Sequence, residues 1–275
     1  MTATLNPQSG AARTDQVLVN YEVKDGLAIL TLNDPPANTY TYEMIRQLDT
    51  AILEARMADD AHVIILRGQG EKFFSAGADI GMLNSVTPRF KYFFCLHANE
   101  TLNRLEHTPK LTLAALNGHC VGGGLEIAMA CDLRVARRNA GKIGLPEVNL
   151  GVLPGTGGTQ RLCRLVGKSR AIELMATGET FSFERAEELG IVNHVYDPDG
   201  WWDQVLLFAR QFCPPNKASK AVGLIKRSVQ SGIELPFESA LAIERELQQQ
   251  LFQSEDAKEG IAAYVEKRMA NFKAR

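Results

Sequence analysis

Hydrophobic positions along this chain change period repeatedly, and each change marks an element. From Val17, "VLVNYEVKDGLAILTLND" holds two runs rich in Val, Leu, Tyr and Ile, separated by "KDG", which predicts a β-hairpin. "PPAN" ends it. In "YTYEMIRQLDTAILEARMADD", apolar Met44, Ile45, Leu48, Ile52 and Leu53 recur at helical spacing. "HVIILRG" predicts a short buried strand, "EKFFSAGADI" a turn built of small residues, and "PRFKYFFCLHANETLNRLEH" a helix. "KLTLAALNG" and "DLRVARR" read as strands, and "GLPEVNLGVLPGTGGTQRL" as a long glycine-rich connection. "KSRAIELMATG" and "SFERAEELG" are helices, each stopped by a glycine, Gly178 and Gly190. "IVNHVY" is the last strand, and the pattern from Trp201 is helical almost to the end.

Alternation of strands and helices makes the class α/β. The expected organisation is a disordered lead-in over residues 1–16, a core over 17–200 and a helical region over 201–275. In that last region Phe237, Leu241, Ile243, Leu247 and Leu251 form a narrow apolar stripe on an otherwise polar helix. The stripe reads either as packing on the protein's own core or as a subunit interface.

Composition narrows the field. The 275 residues are 45% hydrophobic and 23% charged, as in soluble globular proteins. A net charge of −2 without a lysine or arginine block leaves no broad basic face, so no nucleic-acid partner is expected. No apolar run approaches the roughly 20 residues of a membrane-spanning helix. The polar N-terminus has no secretory apolar stretch, which sets a cytoplasmic expectation. Five cysteines (Cys95, Cys120, Cys131, Cys163, Cys213) form no C-x-x-C pair and read as buried thiols. The five histidines have no zinc spacing, so no metal is expected.

Glycine-rich stretches invite nucleotide readings that fail on spacing. "LCRLVGKS" has Leu162 where a phosphate loop needs glycine. "GTGGTQ" lacks the third glycine of the dinucleotide fingerprint, and no G-x-S-x-G is present. "GHCVGGGLEIAMACD" is different, because a carboxylate, Glu126, follows three glycines and sits among apolar neighbours. Glycines ahead of a helix expose unpaired N–H groups, where the helix dipole favours an anion. The plain alternative is a tight strand-to-helix turn. Glu147, in "GLPEVNLG", is a second carboxylate in apolar surroundings, and Gly77 and Ala78 offer a second source of backbone N–H. Two such acids plus two N–H donors suit acid–base chemistry beside a carbonyl. Burial raises a carboxyl pKa, so that one acid holds a proton near neutral pH while the other serves as base.

These segments resemble the crotonase family, and within it the enoyl-CoA hydratases. The matching pieces are "FFSAGADI", "ALNGHCVGGGLEIAMACDLRVA", "GLPEVNLGVLPGTGGTQRLCRLVG", "TGETFSFERAEELGIVNHV" and "AKEGIAAYVEKRMANFK", in family order from about residue 17 to the end. The resemblance implies a spiral of repeated strand–strand–helix units followed by a helical trimerisation region, in a homotrimer or a dimer of trimers. It also implies an acyl-CoA thioester substrate and no cofactor, CoA being part of the substrate. Ala78 and Gly123 match the oxyanion-hole positions, and Glu126 and Glu147 the catalytic pair. Glu126 then has a water and Glu147 as its expected partners. Ala76, Asp79, Ile80, Gly155 and Lys267 match positions that contact substrate or CoA, Gly155 by helping to place the water.

Three departures stand against that pattern. Gly81 replaces a lysine frequent beside the CoA phosphates. Leu145 replaces a frequent glutamine, with one extra residue between "CD" and "PE". "PANTYTYEM" brings Tyr40 and Tyr42 near the ligand position, either as ordinary packing or as an altered CoA or acyl pocket. Keeping both acids favours a hydratase. The alternatives are a double-bond isomerase, a hydratase of a cyclic, branched or aromatic acyl-CoA, and a non-catalytic RNA- or CoA-binding member.

Overall fold

The runs at Val17–Asp34 form an antiparallel hairpin, β1 (Val19–Lys24) and β2 (Leu27–Leu32), in a computed structural model that describes residues 16–275. All of the expected lead-in except Gln16 lies outside the described residues. The hairpin turn is "DG", with Asp25 and Gly26 both at positive φ, as the tightest hairpin turns require. Helix α1 (Tyr42–Met57) follows, opened by the Thr41 side chain accepting from Met44 N and burying Met44, Ile45, Leu48 and Ile52.

Three strand–strand–helix units come next. The first is β3 (Val63–Gly68), β4 (Phe73–Ser75), α2 (Ile80–Ser85) and α3 (Pro88–Glu106). The second is β5 (Leu111–Leu116), β6 (His119–Val121) and α4 (Gly123–Met129). The third is β7 (Leu133–Arg137), β8 (Lys142–Gly144), a 3-10 turn at Glu147–Leu150 and α5 (Gly158–Val166). Helix α6 (Lys168–Thr177), β9 (Thr180–Ser182), α7 (Phe183–Glu188) and β10 (His194–Tyr196) complete the α/β part. Four helices follow: α8 (Trp201–Arg210), α9 (Ser219–Gly232), α10 (Phe237–Phe252) and α11 (Glu255–Glu266).

Each unit sends its first strand to one sheet and its second to another. The large sheet has the order β1-β2-β3-β5-β7-β10, and the small one β4-β6-β8-β9. Strands β2, β3, β5, β7 and β10 run parallel, as β4, β6 and β8 do in the small sheet. One apolar core fills the space beneath α1, α3 and α4. On the opposite face of the large sheet, Trp201, Val205 and Ala209 of α8 pack against Leu27, Val63, Ile65 and Leu113.

One expectation changes. The glycine-rich connection after β8 contains a helix: "GTQRLCRLV" forms α5, whose N-terminal glycines hid its period. The strands of the small sheet, implied by the resemblance to strand–strand–helix units, do not show in the residue pattern, since three-residue strands carry too few positions to display alternation. Along α10 the stripe divides. Leu247 is buried, Leu241, Ile243 and Leu251 are half-buried, and Phe237 stands 74% exposed.

Candidate active site

Because β4, β6 and β8 are parallel neighbours, the turns that leave their carboxyl ends lie side by side, the usual place for a ligand in an α/β sheet. The three turns carry Ala78, Gly123 and Glu147.

The first turn is locked by Ser75. Its hydroxyl donates to Asn38 O (2.7 Å) and accepts from Gly77 N (3.1 Å). Tyr40 brackets the turn with two backbone bonds, Tyr40 N to Gly77 O (2.9 Å) and Asp79 N to Tyr40 O (3.1 Å). Between them the Ala78 N–H donates to no protein group among the described residues. The second turn is equally tight. Gly122, at φ +56° and ψ −133°, caps α4, and the N–H of Gly123 is likewise without an acceptor among the described residues. The two turns touch, since a Cβ on Gly77 would lie 2.8 Å from the Gly123 nitrogen. A Cβ on Gly122 would approach Glu147 Oε1 to 3.1 Å, so the third turn closes on the second.

All seven residues of α4 are buried, Glu126 to 2% exposure. Its nearest protein partners are not those expected from the sequence. Oε1 accepts from Thr156 N (2.7 Å) and from Gly158 N (2.7 Å), the first residue of α5, and Oε2 accepts from the Thr156 hydroxyl. Glu126 thus sits at the positive end of α5. Burial raises its carboxyl pKa above the ordinary range, while these three donors and the Arg161 guanidinium act in the opposite direction.

Glu147 opens the 3-10 turn and is half-buried. Its Oε2 is buried with no hydrogen-bond partner among the described residues. Burial pushes its pKa up to about 7, opposed by its own backbone N–H and reinforced by the Glu126 charge. One carboxylate therefore receives three protein hydrogen bonds, while its neighbour keeps one buried oxygen without a partner among the described residues.

The other expected residues divide by what their atoms are doing. The Asp79 carboxylate accepts from Met82 N and so caps α2. Ala76 N donates to Ala37 O (2.9 Å). Ile80 is 55% exposed beside the first turn and open to a ligand. Gly155 N donates to no protein group among the described residues, and a Cβ there would lie 3.3 Å from Cys95 Sγ. Lys267 is exposed at the left-handed cap of α11, at φ +55°. Of the departures, Leu145 is buried, Gly81 is exposed in α2, and Tyr42 meets Phe90 edge-on and His97 at a tilt.

Sequence reasoning missed Thr156 and Gly158. Both lie 30 or more residues from Glu126, and the one local signal was the polar Thr156 inside "LPGTGG".

Residues 22–275 match the family Enoyl-CoA hydratase/isomerase. The chain is 38% identical over 247 residues to a short-chain-enoyl-CoA hydratase of Clostridium acetobutylicum, covering 89% of this chain and 94% of that protein. It is 35% identical over 252 residues to a crotonyl-CoA hydratase of Syntrophomonas wolfei, covering 91% and 96%. A crystal structure of an enoyl-CoA hydratase from Geobacillus kaustophilus superposes with a TM-score of 0.92 at 46% identity, covering 95% of this chain and 98% of that one. The strand–strand–helix units, the turns that carry the site and the match across nearly the whole chain agree: the protein belongs to the enoyl-CoA hydratase/isomerase family.

Proposed function

We propose that the protein is an enoyl-CoA hydratase, adding water across the double bond of a trans-2-enoyl-CoA to give a 3-hydroxyacyl-CoA. The observation that carries this reading is the pairing of Glu126, whose carboxylate receives three protein hydrogen bonds, with Glu147, which keeps a buried oxygen without a partner among the described residues. The hydratase names of the relatives support it.

In the proposed reaction the thioester oxygen sits between the N–H groups of Ala78 and Gly123. Water, hydrogen-bonded to Glu126, bonds through oxygen to the β-carbon and gives that carboxylate a proton. The π electrons move to the thioester oxygen as an enolate, stabilised by the two N–H groups. The enolate then takes a proton at the α-carbon from Glu147. A proton passed from Glu126 to Glu147 resets the pair, so one water is consumed and no cofactor is required. Each acid contributes in the range of about 10²–10⁴.

The same proposal covers the surroundings. Ile80, Ala76 and Asp79 line the approach of the acyl-CoA, Gly155 N helps place the water, and Lys267 is available for CoA phosphates. Exposed apolar residues on the later helices, among them Ile172, Ile225, Val229, Ile233 and Phe237, suit self-association as a homotrimer or dimer of trimers. Five free cysteines suit a reducing, cytoplasmic setting, and among the described residues no helix is long and apolar enough to cross a membrane.

The test is the bleaching of conjugated enoyl-thioester absorbance when purified protein meets a short trans-2-enoyl-CoA. Turnover is expected. Double-bond migration of a 3-enoyl-CoA without any hydration would overturn the reading in favour of an isomerase.

A further inference from the structure

Tyr40 is 3% exposed and lies at the point where the three turns meet, yet the proposed chemistry assigns it nothing. Its backbone brackets Ala78, and its hydroxyl fills the space that a Cβ on Gly123 would need. That hydroxyl is 3.2 Å from Thr156 Oγ1, and Thr156 Oγ1 in turn contacts Glu126 Oε2. A threonine hydroxyl carries one hydrogen. Once Thr156 directs it to the carboxylate, the Tyr40 hydroxyl has to be the donor in the first link. Burial and the Glu126 charge raise the Tyr40 pKa well above the usual phenol range, so it keeps the proton it donates.

The lone pairs of Glu126 can then be counted. An ionised carboxylate offers about four acceptor sites. Thr156 N and Gly158 N occupy those of Oε1, and the Thr156 hydroxyl one of Oε2. One site remains, on Oε2, next to the oxygen that the hydroxyl chain orients.

Resting on the hydratase reading above, we propose that Tyr40 is a positioning residue for Glu126. Through Thr156 it holds Glu126 as an ionised acceptor and leaves one Oε2 lone pair to receive the water proton. Other charged and titratable groups around Glu126 are Cys95 from α3, Glu147 from the 3-10 turn and Arg161 from α5, the last paired with Glu106 at 2.7 Å. At the far end of α4, Arg134 from β7 binds the carbonyls of Ala128 and Cys131, and Cys120 of β6 lies near it. None of these donates to Oε2.

Tyr40→Phe removes the hydroxyl and keeps the ring and the backbone pairing. Weakening a donor to the ionised form raises the pKa of Glu126. The acid limb of kcat/KM against pH should therefore move up by about half a unit to one unit, kcat at a fixed pH on that limb should fall about three- to tenfold, and KM should hold. Infrared titration of carboxyl groups in ¹³C-glutamate protein, with Glu126→Gln to assign the band, should show the same upward shift. Thr156→Ala should shift both readouts in the same direction, and Thr156→Ser should restore them, which covers the case of a poorly folded Tyr40→Phe. Superposable profiles and Glu126 bands in Tyr40→Phe and Thr156→Ala would overturn the proposal. Infrared titration needs no turnover. A wild-type protein that fails to hydrate sinks the hydratase reading alone, while the band still decides the hydroxyl chain.

Discussion

Glu126 and Glu147 are the same side chain in two kinds of pocket. Glu126 lies in a fully buried helix and receives three protein hydrogen bonds from the loop and first turn of α5. Glu147 lies on a 3-10 turn with one buried oxygen unpartnered. Burial pushes both pKa values upward; three donors from Thr156 and Gly158 act against it at Glu126, and only its own backbone N–H does so at Glu147. In the proposed reaction, hydrogen-bond supply more than depth distinguishes the acceptor from the acid.

The contrast breaks most visibly in activity. Glu126→Gln and Glu147→Gln should each lower kcat for hydration by about 10²–10⁴-fold, while binding of a saturated acyl-CoA in a direct titration persists. Near wild-type turnover in either variant would remove the two-acid mechanism.

A tenfold effect per pH unit comes next. The proposed hydration needs Glu147 protonated, and its pKa is pushed up to about 7. The wild-type kcat for hydration should fall as pH rises past about 7. Moving the Glu126 charge away, as in Glu126→Gln, should shift that limb of the residual rate to lower pH, since the like charge contributes to the rise.

Stability gives a smaller signal with a definite sign. A carboxyl whose folded pKa exceeds its unfolded value binds more protons when folded, so its contribution is fully present at low pH and is lost as pH climbs through the folded value. For Glu147 that loss runs from the unfolded carboxyl range, near 4.5, up to about 7. Glu147→Gln should therefore raise Tm more at pH 8 than at pH 5. Equal shifts at both pH values would mean that Glu147 ionises freely in the fold.

Asp79 is a carboxylate of a third kind, one that holds a helix end. Its work is capping α2, so Asp79→Ala should cost about 1 kcal/mol in denaturant unfolding, and Asp79→Asn should recover most of it.

Much of this was visible in the chain, but unevenly. Strand–helix alternation and the order of the motifs set the class, and long periodic segments such as Tyr42–Met57 and Pro88–Glu106 stood out. The three-residue strands β4, β6 and β8, which line up the site, did not, because an element that short has no period to read. Glu126 and Glu147 were conspicuous as charges among apolar neighbours. What holds Glu126 was hidden, since Thr156 and Gly158 reach it across a fold that only the small sheet creates. The Asp79 cap was locally readable as an acid just ahead of a helix start.

The division of labour between the two acids can be read from a substrate that cannot be hydrated. Butanoyl-CoA has α-hydrogens and no double bond, so exchange of those hydrogens in D₂O, followed by NMR, reports the Glu147 proton step and the enolate site without water attack. Glu126→Gln should keep α-exchange within about tenfold of wild type while losing hydration, and Glu147→Gln should lose both. Exchange that survives in Glu147→Gln but vanishes in Glu126→Gln would contradict the assignment of acceptor and acid.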